Sequence, residues 1–357
     1  MSSEPVAWDV ALRIARPINA RRPGLAAGRL EELQETFAAA TAEAERLVED
    51  ETGLHSADGP AKGIVTDRNG WVEVNVASFR RLLEPVAARL ERSPRLGQAI
   101  TPASRAAAGV ELGLLLAWMS GRVLGQYDLA LSEGSGEGDV VYFVGENIVA
   151  LEEKHGFEPA QFRLWIALHE VTHRLQFTGV PWMRAHFLGI VERCAELSPP
   201  DVKSVVASLR TAASSILAGT NPLAEGGIVG LFATFDQLAT IREATALMSL
   251  LEGHGDVVMG RAAASQIPSS AEFAATLQER RRSGGSLAKL ARQAVGIEAK
   301  MAQYAEGERF VEAVEAFGGA ELLARVWSGP EMLPSLEEIR DPSRWVARAG
   351  GRAGARA

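Results

Sequence analysis

Leu164-Trp165-Ile166-Ala167-Leu168-His169-Glu170-Val171-Thr172-His173-Arg174-Leu175-Gln176-Phe177 is an apolar, helix-forming run that carries His-Glu-x-x-His. Residues four apart on an α-helix lie nearly over one another, so the imidazoles of His169 and His173 can reach one metal ion from the same face. Two neutral imidazoles suit Zn²⁺, whose catalytic sites keep one coordination position for water. Glu170 projects at a neighbouring angle, as a general base for that water would. Trp165, Leu168, Thr172 and Leu175 recur at helical spacing and give the helix a stripe to bury beside the histidines. A lone His on such a flank is ordinarily a satisfied boundary residue. Two of the chain's six histidines bracketing a Glu go beyond that.

Two histidines are too few for a tight zinc site, so a third ligand is expected downstream. Leu250-Leu251-Glu252-Gly253-His254-Gly255-Asp256 offers two candidates. Glu252 lies at the end of a long helical pattern, and Asp256 follows four residues on. In one class of zinc hydrolases a Glu is the third ligand, and an Asp at this spacing orients a ligand histidine. Alternatively His254 is the ligand and Glu252 supports it, with Gly253 and Gly255 breaking the helix. A hydrolytic site also needs a donor for the developing oxyanion, and His254, Tyr142 and Tyr304 are the candidates.

The remainder of the chain is ordinary for a water-soluble globular protein. Its 357 residues are 47% hydrophobic and 23% charged, enough for one large domain or two. The net charge of −8 is spread without a basic stripe, which argues against a nucleic-acid partner. Cys194 is the single cysteine, so no internal disulfide forms, and a cytoplasmic setting is expected. No secretory signal opens the chain, and its longest apolar run, Leu112 to Met119, is far too short to span a membrane.

In chain order, the pattern predicts a long helix over Gly28–Asp50, a strand from Gly63 that closes in a turn at Asp67–Gly70, and a helix over Ser78–Arg95. Thr101 and Pro102 open a helix expected to reach about Tyr127, with Gly109, Gly113, Gly121 and Gly125 at close-packing intervals. Ser132–Asp139 is a polar connector. Val140–Val144 is a strand that could serve as a substrate-aligning edge or as ordinary structure. Pro159 opens the His-Glu-x-x-His helix, which ends near Gly179. Further helices are expected at Pro181–Leu197, Asp201–Leu217 and Leu223–Leu251, and beyond Pro268 to about Val326. Arg348–Ala357 reads as a flexible tail. The expected organisation is a single domain over 1–347, with a mostly helical half at 1–130 and a metal-bearing half at 139–347.

Several segments together resemble the bacterial zincin-like metallopeptidase family (type 2). They are Leu164–His173, Pro181-Trp182, Leu250–His254 with Asp256–Met259, and Gln303-Tyr304 with Gly307. Val123–Asp128 and Leu333–Ile339 with Pro342 and Trp345 are similar as well. The resemblance covers nearly the whole chain. It implies a mainly α, zincin-like metallohydrolase fold with a small β-sheet beside the His-Glu-x-x-His helix, and a zinc-dependent peptidase or amide hydrolase of unnamed substrate. Some members are linked to biosynthesis of a deazaflavin coenzyme (F-420). The family's motif falls on His169, Glu170 and His173, and its acidic segment on Glu252, His254 and Asp256. The chain departs from the general zinc-peptidase pattern at Arg174, where an uncharged residue is usual. It departs from the family at Gly260, where an acid is usual. A zinc-stabilised scaffold or binding protein without chemistry is the competing expectation.

Overall fold

Residues Pro159–Thr178 form one unbroken α-helix in the structure, a computed structural model that describes residues 4–26, 28–92, 101–129, 139–195, 235–264, 266–282 and 297–351. For residues 89, 195, 235–237, 280–282, 297–305 and 351 the backbone alone is described. The elements in chain order are α1 (Trp8–Asn19), α2 (Arg29–Thr52), β1 (Lys62–Thr66), α3 (Arg68–Leu82), α4 (Glu84–Arg92), α5 (Pro102–Ser120), β2 (Gly125–Tyr127), β3 (Val140–Val144), α6 (Gly145–His155), α7 (Pro159–Thr178), α8 (Met183–Ala195), α9 (Phe235–Ala263), α10 (Ser270–Arg282), α11 (Ile297–Ala324), α12 (Leu336–Arg340) and α13 (Pro342–Gly351). Among the described residues the fold is mainly α with one three-stranded sheet, as the resemblance implies. Among the described residues, no helix is long and apolar enough to cross a membrane.

The chain divides into two compact units, Met1–Arg184 with Val258–Phe273 and Ala185–Val257 with Ala274–Ala357. The division falls inside α9, after Val257.

In the first unit the strand order is β1-β3-β2, with β1 parallel and β2 antiparallel to β3. β3 is therefore central, paired on both sides, and cannot accept an extended chain as an edge. Its Val141 and Phe143 are fully buried, and Phe143 stacks on Phe37 of α2 at 4.2 Å between ring centroids. α2 in turn packs along α7. On the sheet's other side, α1, α3 and α5 enclose Trp8, Ala11, Trp71, Val72, Leu116 and Val144. Gly109 and Gly113 bring α5 against the α1 backbone, because a Cβ at either would meet the Ala7 or Ala11 carbonyl. Close packing is what their spacing implied.

Three local readings change. The expected turn at Asp67–Gly70 is the first turn of α3, where the Asp67 carboxylate accepts the Gly70 N–H at 2.6 Å. An Asp that could close a turn here caps a helix by the same bond. The helix from Thr101 stops at Ser120, and Gly125–Tyr127 is strand β2. Immediately after β3 the chain enters α6, which the strand signal had masked.

In the second unit, α9, α11, α12 and α13 surround a core of Leu250, Phe310, Val314, Val326, Trp345 and Ala349. α9 does not break at Gly253 and Gly255. A Cβ at Gly253 would overlap the peptide between Gly307 and Glu308, and one at Gly307 would overlap the Ser249 carbonyl. The glycines let two helices cross backbone to backbone, and this packing outweighs their weak helix propensity. The Gly318-Gly319 pair kinks α11 as a separator would. Arg348, where the flexible tail was expected to begin, lies within α13, and its guanidinium donates to Glu338 and to the Leu333 and Glu331 carbonyls. The helix expected at Asp201–Leu217, the first part of that expected at Leu223–Leu251, and all of the connector expected at Ser132–Asp139 except Asp139 lie outside the described residues.

α7 is fixed by a buried ion pair near each end. Arg163 makes two bonds to Glu152 of α6, at 2.8 and 2.9 Å. Arg174, fully buried, donates to Glu45 of α2 at 2.6 Å, to Ser56 and to the Gly59 carbonyl. The departure at Arg174 thus serves the scaffold. Replacing Arg174 with Leu leaves Glu45 uncompensated and should destabilise the fold by about 3–5 kcal/mol, read as a lowered midpoint in denaturant unfolding. An unchanged midpoint would contradict this role.

Candidate metal centre

α7 begins where Glu158 accepts the Ala160 and Gln161 N–H groups and Pro159 occupies the first turn. From there the apolar stripe turns inward: Trp165, Leu168, Thr172 and Leu175 are all buried. His169 and His173 stand beside it, each half-buried. Their rings meet nearly edge-on, with Nε2 facing Nε2 at 3.3 Å. Two unprotonated nitrogens this close repel unless a cation lies between their lone pairs. Two ligands about 2.0–2.1 Å from a tetrahedral zinc stand about 3.3 Å apart. The observed separation fits that geometry.

Glu252 stands in the middle of α9 rather than at a helix end. One ligand atom from each of His169, His173 and Glu252 lies within 4.8 Å of the others. Among the described residues no other group of three His, Cys, Asp or Glu side chains does so. The set is two imidazoles and a carboxylate, a donor set that suits zinc. His254 is absent from it. Its ring is buried at 4% exposure, edge-on to Trp327 at 5.0 Å. Asp256, half-buried, follows Glu252 by one turn.

Glu170 is buried, and its carboxylate lies against β2. A Cβ at Gly125 would stand 2.5 Å from Glu170 Cγ and 2.8 Å from Oε1. The missing side chain at 125 is therefore the space that Glu170 occupies. Strand alternation also sorts the tyrosines. Gly125 is paired with Phe143, whereas Tyr142 is paired with Gln126, so Tyr142 belongs to the opposite face. That face is covered by α3, where Gln126 and Asn75 exchange amide hydrogen bonds. Tyr142 thus lies on the face turned away from Glu170. The side chain of Tyr304 lies outside the described residues.

Three residues at α7 escaped the sequence reading. The spacing of Gly125 from Gly121 reads as helix packing, whereas it lies in strand β2. Tyr127, on the Gly125 face, stacks on Phe177 at 6.1 Å, and its hydroxyl meets Arg184 and Asp139. Burial pulls the Arg184 pKa down, but Tyr127 and Asp139 outweigh it, and the net shift is upward. Gln176, fully buried, has its Oε1 3.0 Å from Nδ1 of His173. Its only sequence signal is the i+3 spacing from His173.

The family model described as zincin-like metallopeptidase matches residues 6–346. The chain belongs to the zincin-like metallopeptidase family. A solved structure from Chloroflexus aurantiacus, described as a “putative hydrolase with a novel fold”, is similar at 31% identity and a TM-score of 0.69. The similarity covers 96% of this chain and 98% of that one. No curated protein sequence matches.

Replacing Gly125 with Ala should shift the Glu170 carboxylate by about 1 Å, the amount that restores ordinary contact, with α7 left in place. A crystal structure of the variant with Glu170 unmoved would contradict this.

Proposed function

We propose that the protein is a zinc-dependent hydrolase of peptide or amide bonds, with His169, His173 and Glu252 as ligands and Glu170 as general base. The observation that carries the reading is the convergence of these three ligand atoms, with the buried Glu170 next in sequence to His169. Membership of a metallopeptidase family and similarity to the Chloroflexus protein support it.

Zinc, when bound, would supply Lewis acidity for the carbonyl and raise the acidity of the attacking water. Glu170 takes a proton from that water as it attacks and returns it to the leaving amine. Gly125 leaves that carboxylate its room against β2. Burial of Glu170 limits competing solvent contacts, and α7 holds the acid and both histidines at fixed angles on one element. The substrate is an extended peptide or an amide.

Glu170→Gln should abolish turnover on a peptide and amide panel, a loss of at least about 100-fold, while bound zinc stays near one equivalent. Retained hydrolysis would reject Glu170 as base. Wild-type protein that holds zinc but hydrolyses nothing in the panel would favour the scaffold reading. Glu252→Ala should weaken zinc binding more than His254→Ala does, measured by chelator competition.

A further inference from the structure

The Oε1 of Gln176 stands 3.0 Å from Nδ1 of His173, and Gln176 is fully buried. An amide oxygen only accepts, so Nδ1 must carry the proton of that bond. A neutral imidazole holds one proton, and with it on Nδ1 the lone pair is left on Nε2. That nitrogen is the one that faces Nε2 of His169. We infer that Gln176 is a positioning residue for the metal centre: it fixes His173 in the Nδ1–H tautomer and holds its ring so that Nε2 can bind the cation.

Without an acceptor at Nδ1, a histidine in water prefers the proton on Nε2. In that form His173 would present N–H rather than a lone pair to the site. It would have to change tautomer before binding. Helix geometry makes the arrangement local, because Gln176 lies three residues beyond His173 and its side chain folds back over the intervening turn. The partner is also uncharged. A carboxylate in this place would add a negative charge to a site that already has Glu170 and Glu252, whereas the amide directs the proton without doing so. Metal-bound histidines generally donate their second nitrogen to such an acceptor, and loss of the acceptor typically costs 10–100-fold in metal affinity.

This inference rests on the proposed metal site but not on hydrolysis, and the test separates the two. Long-range ¹H–¹⁵N correlation on the metal-free wild-type protein at roughly pH 8 reads the tautomer directly, with His173 assigned from its loss in His173→Asn. The expected result is a protonated Nδ1 and an unprotonated Nε2. Gln176→Leu should move His173 toward the Nε2–H form and lower zinc affinity 10–100-fold in chelator competition, with the helical circular dichroism retained. Gln176→Glu, which keeps the acceptor, should restore the Nδ1–H form and bring affinity back within several-fold of wild type. An Nε2–H tautomer in the wild type would overturn the inference, whether or not the protein hydrolyses anything. So would a Gln176→Leu protein with unchanged tautomer and zinc affinity. If Gln176→Leu fails to fold, the wild-type tautomer and the Gln176→Glu affinity still decide.

Discussion

Two imidazole nitrogens held 3.3 Å apart on one helix face are the constraint around which the first unit is arranged. The two rings stay on one face at that distance only while the helix keeps its place. Arg163 and Arg174 supply that hold. Each is buried and paired with a carboxylate from a neighbouring helix, one on the turn before the histidines and one directly after them. Buried ion pairs add little net stability, but once formed they permit few other arrangements. Their value here lies in geometry.

The sheet has a comparable part in positioning. β3 is buried between two partners, which leaves β2 to lie along α7. Gly125 is the contact point, and its missing Cβ sets how closely the strand and Glu170 approach. In the second unit a pair of glycines again sets a distance. Gly253 and Gly307 bring α9 and α11 into backbone contact beside Glu252. In both places an acid proposed for the site has a glycine close by, because a larger side chain would take up the space the acid needs or push its helix away.

Much of this was legible in the sequence. The extent of α7 followed from its apolar period, from Pro159 and from Gly179, and ligand count and spacing narrowed the third partner of His169 and His173 to Glu252 or His254. The rest was hidden for physical reasons. Strand β2 is three residues long and directly follows a helical pattern, too short for alternation to register. Asp67 supplies the same hydrogen bond in a turn and in a helix cap. Gly253 and Gly255 carry the composition of a helix break, and only the crossing with α11 explains why the helix continues. Gln176 and Gly125 act through neighbours that become apparent only once the chain has folded. Arg174 ran against the general pattern because it answers to Glu45, a residue 129 positions away.

The central claim is that two histidines and one carboxylate of this chain share a metal ion. X-ray absorption at the zinc edge on the purified, zinc-loaded protein tests it most directly. The account predicts a first shell of nitrogen and oxygen at about 2.0–2.1 Å, with the outer scattering of two imidazoles and no sulfur. A shell that contains sulfur, or one without imidazole scattering, would contradict it.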